Sequence, residues 1–127
     1  MHHMRAAVYL FLTVSISAVG AIPPAWAQSL EQNEKKCSDA DPDLSIGGCT
    51  ALIQSGQESD ANLAIAFYNR GLAYGNKGQY DLAIADETQA IRLKPDYAQA
   101  FYNRGTAYNN KGQYDLAIAD ETQAIRL

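Results

Sequence analysis

Few residues in this chain have the type and spacing to do chemistry. Cys37 and Cys49 are its two cysteines, and in an oxidising compartment they are expected to pair. The closed loop is about a dozen residues, worth on the order of 3 kcal/mol by the chain-entropy model. Glu87 and Glu121 each interrupt an apolar stripe. The pattern sets no second carboxylate, histidine or nucleophile beside them to make an acid–base pair. His2 and His3 are the two histidines, and they precede the apolar run of a leader. No metal-ligand cluster, no phosphate-cradling glycine loop after a strand and no Ser/His/Asp set can be drawn from the rest. The expectation is therefore no catalytic residue, no metal and no cofactor.

Those residues have to be positioned by something, and the N-terminus narrows what is available. Arg5 precedes an apolar run from Ala6 to Val19, followed by Pro23-Pro24 and then Ala25-Trp26-Ala27 ahead of Gln28. Small residues flanking Trp26 fit the A-x-A pattern of a signal peptidase site. The run is shorter than the roughly 20 residues a helix needs to span hydrocarbon. Residues 1–27 are thus read as a cleavable signal peptide, and the protein as exported to periplasm or extracellular space. Glu34-Lys35-Lys36 before Cys37 gives no lipid-attachment box. Without Arg5 there remain 9 basic against 14 acidic residues, a formal charge of −5. Such a surface disfavours nucleic acid and anionic lipid, so neither nucleic-acid binding nor membrane insertion after cleavage is expected.

Self-similarity supplies the scaffold. Residues 64–93 and 98–127 repeat at an offset of 34 and differ in 3 of 30 positions, 65/99, 72/106 and 75/109. Ala64, Phe67, Gly71 and Tyr74 recur at spacings of three and four, which puts them on one helical face. Gly78 permits a turn. Tyr80, Ala83, Ile84, Ala90 and Ile91 continue the period in a second helix. Lys94-Pro95-Asp96-Tyr97 is the turn between copies, its proline unable to extend the helix before it. Each copy is an αα-hairpin that buries one face and needs a neighbour for the other.

Phe67, Gly71, Tyr74, Gly78, Ala83, Ala90 and Pro95, with Phe101, Gly105, Tyr108, Gly112, Ala117 and Ala124 in the second copy, resemble the spaced signature of tetratricopeptide repeats. The resemblance covers residues 64–127 and implies an all-α solenoid with a right-handed superhelix. Laid over the second helix of a copy, residues 43–53 share its Asp, Leu, Ile, Thr and final Ile. A degenerate capping helix at about 42–54, half of an earlier repeat, is expected there, pinned by the Cys37–Cys49 bond. The organisation expected is a signal peptide at 1–27, an N-terminal segment at 28–58, a first repeat at 59–97 and a second at 98–127. Ser59 or Asp60 is placed to cap the helix that opens the first repeat.

Two positions depart from the family. Where large apolar residues are usual the chain has Arg70 and Glu87, and likewise Arg104 and Glu121. In a hairpin folded about Gly78 these positions face one another, so ion pairs Arg70–Glu87 and Arg104–Glu121 are expected, because a half-buried carboxylate without a partner is costly. The resemblance also implies a concave groove lined by Ile65, Tyr68, Asn69, Leu72, Gly75 and Asn76. Its continuation is Gln99, Tyr102, Asn103, Thr106, Asn109 and Asn110. Tyrosine supplies rigid contact area and asparagine a donor and acceptor for an extended backbone. The three differences between the copies fall on this side, as a ligand-reading face or as drift where packing does not constrain. Repeat domains that hold the acidic C-terminus of chaperones use a clamp of lysines there. Here Tyr68 and Tyr102 occupy clamp lysine positions, so that function is not carried over.

Three readings follow. The first is a non-enzymatic module that binds a peptide or protein segment in the groove. The second is an accessory domain of a larger envelope enzyme complex. The third is a structural unit forming homo-oligomers by stacking repeats end to end, suggested by the absence of a capping helix after Leu127.

Overall fold

The computed structural model describes residues 24–127. The expected signal peptide falls almost wholly outside the described residues. Among them are six helices and no strand: α1 (Ala25–Cys37), α2 (Pro42–Ser55), α3 (Asp60–Asn76), α4 (Tyr80–Leu93), α5 (Ala98–Asn110) and α6 (Tyr114–Arg126). Each packs on the next in order. The first helices of the hairpins also touch, α1 on α3 and α3 on α5, so the chain is a stack of three hairpins with one side formed by α1, α3 and α5.

Local signals set the boundaries. Asp41 caps α2 by accepting from the backbone N–H groups of Asp43 and Leu44, and Pro42 takes the first helical turn, where its missing N–H costs nothing. Ser59 caps α3 by accepting from Asn62 N. Gly78 and Gly112 turn each later hairpin at φ 73° and 75°, a left-handed conformation that costs glycine little. The core is built of small residues: Ala64, Ala66, Ala73, Ala83, Ala90, Ala100, Ala107 and Ala117 are all buried. Alanine brings helix axes close together, and the half-buried aromatics fill the margins.

The helix α1 is an addition to what the sequence suggested. It completes the earlier repeat, of which only the second helix had been expected. Its close approach to α2 explains Gly48, which looked like a weakness in a helix. A Cβ there would lie 2.5 Å from Cys37 N and 2.7 Å from Asn33 O. Any side chain would force the two helices apart. The disulfide Cys37–Cys49 closes this hairpin, with Cys49 wholly buried beside Leu52 and Ala66.

A candidate peptide-binding groove

The later hairpins are closed by charge, in a pairing other than the one expected. Arg70 Nε donates to Asp86 Oδ2 at 2.7 Å and Nη2 to Asp86 Oδ1 at 2.8 Å. Arg104 does the same with Asp120, at 2.7 and 2.8 Å. The expected pairs Arg70–Glu87 and Arg104–Glu121 do not form. Asp86 and Glu87 are neighbours on the helix, about 100° apart, and the shorter Asp meets the guanidinium fork squarely. Glu87 instead fills the space left by the missing side chain of Gly71, where a Cβ would lie 2.9 Å from Glu87 Oε1. The aspartate hydrogen bonds raise the pKa of both arginines. Each guanidinium also lies between two rings, 5.6 Å from Phe67 and 5.8 Å from Tyr74 in the first copy, a cation–π arrangement.

The same arginines reach backward. Arg70 Nη1 donates to Thr50 Oγ1 of α2 at 3.1 Å, and Arg104 Nη1 to Thr88 Oγ1 of α4 at 3.1 Å. Lys77 pairs with Asp43 and Lys111 with Asp81 across the same junctions. Asp43 and Thr50 are residues that α2 shares with α4. The degenerate helix therefore keeps its outward contacts while its inward ones change.

Glu87 is completely buried. Asn103 Nδ2 donates to its Oε1 at 3.3 Å, and its Oε2 has no hydrogen-bond partner. Burial pushes the carboxyl up to about 9, against the opposing hydrogen bond from Asn103. It is therefore a neutral acid at pH 7. Tyr97, raised to about 12 by burial, has its ring 4.9 Å from that of Tyr68.

Four hollows run along the side made by the first helices. One lies among Glu34, Leu52, Glu58, Ile65 and Asn69, and the next among Asp39, Pro42, Asn69, Leu72 and Asn76. A third takes in Leu72, Gly75, Asn76, Asn103, Thr106 and Asn110. The largest, about 530 Å³, is bounded by Tyr68, Gln99, Tyr102, Asn103, Glu121 and Ile125. Shared walls join them, Asn69 between the first two, Leu72 and Asn76 between the next two, and Asn103 before the last. The result is one trough. Of the residues expected on it, Asn109 lines none of the four hollows, and several amides have internal partners. Asn69 donates weakly to Cys37 Sγ at 3.9 Å, Asn103 to Glu87, and Asn110 to Thr106 O at 2.9 Å. Exposed Ile65 and Tyr102 remain as apolar contact area. Glu34, Asp39, Glu58 and Ile125 were not foreseen, since family positions on the first helices of the two copies cannot indicate walls contributed by α1, the loops and α6.

Among the described residues no group of His, Cys, Asp and Glu could hold a metal ion, and no helix is long and apolar enough to cross a membrane. Residues 76–112 match the family model described as TPR repeat, and residues 98–127 that described as Tetratricopeptide repeat. Residues 76–127 thus match models of the tetratricopeptide repeat, and the stack of helical hairpins is a solenoid of tetratricopeptide-like fold. The fold is similar to the second TPR of Spaghetti (RPAP3) bound to HSP90 peptide SRMEEVD. That likeness has a TM-score of 0.67 and 27% identity over 80% of this chain and 90% of that one. No curated protein matches the sequence.

Proposed function

We propose that this protein is a non-enzymatic adaptor of the cell envelope or extracellular space that holds a segment of another protein in the trough along α1, α3 and α5. The observation that carries the reading is the continuity of the four hollows, which together suit an extended chain better than a compact small molecule. The structural neighbour, which is bound to a peptide, supports the same class of ligand. The exported setting rests on the leader pattern of residues 1–27 and is supported by the disulfide, a bond that persists outside reducing compartments. A photo-crosslinking amino acid at Tyr102 or Leu72 is expected to capture a protein partner in envelope fractions, while one at Leu82 on α4 is not. Equal labelling from all three sites would refute binding in the trough.

A further inference from the structure

The trough has a charge character that the groove residues expected from the family do not reveal. Its four hollows are walled by four carboxylates, Glu34, Asp39, Glu58 and Glu121, and by no lysine or arginine. Lys35 and Lys36, next to Glu34 on α1, line none of the four hollows, and the cations of the later hairpins that lie nearest the groove are committed elsewhere. Arg70 and Arg104 are locked to aspartates inside their hairpins, and Lys77 and Lys111 pair with aspartates across the junctions. The acidic walls are therefore not neutralised from within the groove.

The carboxylates are also unevenly placed. Glu34 and Glu58 stand together at the α1 end, over an apolar floor of Leu52, Ile65 and Ala66. Glu58 Oε2 accepts from Asn62 Nδ2 at 2.8 Å, but its Oε1 is shielded from solvent and has no hydrogen-bond partner. A buried carboxylate oxygen left this way calls for a donor. At the other end Glu121 flanks the largest hollow, beside exposed Tyr102 and Ile125. Between the two ends the third hollow has no charged wall at all. A lysine or arginine side chain suits both ends, because its aliphatic stem covers apolar surface while its head reaches a carboxylate.

From this placement we infer that the trough selects a basic, extended protein segment, with cationic side chains along the end walled by Glu34, Glu58 and Asp39 and again at Glu121, and uncharged residues over the third hollow between them. The inference rests on the trough being the binding site. It sets this protein apart in charge from its structural neighbour, whose bound peptide SRMEEVD carries three acidic residues.

The test is selection of a random peptide library on the immobilised full chain at low salt, followed by affinity measurements on the enriched peptides. Lysine and arginine should be enriched and aspartate and glutamate depleted, with binding that weakens as salt rises. The triple variant Glu34→Gln, Glu58→Gln, Glu121→Gln should bind the selected peptides about tenfold more weakly, a few-fold for each ion pair lost, with its thermal midpoint retained. An acidic or uncharged consensus, or unchanged affinity in the triple variant, overturns the charge inference while leaving peptide binding in place. Failure to enrich any peptide overturns the groove reading itself.

Discussion

The first hairpin and the second solve one packing problem with different chemistry. Aligned through Asp43 and Asp81, Cys49 of α2 takes the place of Glu87 of α4, and Gly48 that of Asp86. Cys49 and Glu87 are the largest fully buried side chains among the described residues. Where α1 and α2 are joined by a covalent bond, α3 and α4 are joined by the Arg70–Asp86 fork, and a neutral Glu87 fills the gap at Gly71. Gly48 leaves α1 no room for an aspartate, so the first hairpin cannot be closed as the others are. The outward face of α2, Asp43 and Thr50, is kept because the next hairpin reads it. The Arg–Thr and Lys–Asp contacts between repeats are thus held constant, while closure within a repeat, and with it the partner of Asn69 and Asn103, varies.

Perturbing each closure in turn sharpens that contrast. The largest effect is expected from Arg70→Ala, which leaves Asp86 buried without its partner and should cost about 3–5 kcal/mol in denaturant unfolding. A cost under about 1 kcal/mol would mean that the ionic closure contributes little. Reduction of Cys37–Cys49 should cost about 3 kcal/mol by loop entropy, read as a lower midpoint in the presence of reductant. Glu87 distinguishes the two hairpins by pH. Its folded pKa of about 9 lies above its unfolded value, so the stability it contributes is full in acid, below the unfolded pKa. That stability is lost as pH rises toward 9, by at most about 1.4 kcal/mol per pH unit. Glu87→Gln should flatten this slope in urea titrations between pH 5 and pH 9, and an unchanged slope would show the carboxyl to be ionised in the fold. The smallest effect belongs to Lys77→Ala, whose partner Asp43 is largely exposed. A change within about 1 kcal/mol is expected.

Much of the architecture was readable because the helix pair recurs at a fixed offset, and periodicity then fixes which face packs. The span of α2 was legible from Asp43, Thr50 and Ile53. The helix α1 was not, since residues 31–36 are polar throughout and give no apolar stripe, while the residues before them resemble a processing site. The partner of Arg70 was misassigned because facing positions locate a side chain to within about a residue. They cannot choose between adjacent carboxylates when one has a glycine hole to occupy. The groove asparagines were counted as surface positions, but Asn103 turns inward to Glu87, and only packing reveals such a commitment. Three of its four acidic walls, Glu34, Asp39 and Glu58, come from segments outside the two near-identical copies, where the repeat pattern had no positions to count.

The junction made by Thr50 and Arg70 is made again by Thr88 and Arg104, with the same donor and acceptor atoms at the same 3.1 Å. A 34-residue unit of this kind has matching ends, receptive on one side and reaching on the other. Copying or excising a whole unit would leave the Arg–Thr and Lys–Asp contacts of each remaining seam in place, so unequal recombination could lengthen or shorten such an array without remaking those contacts. The two copies differ at three sites, none of them an Arg, Thr, Lys or Asp of these contacts, as copying of such a unit would leave them.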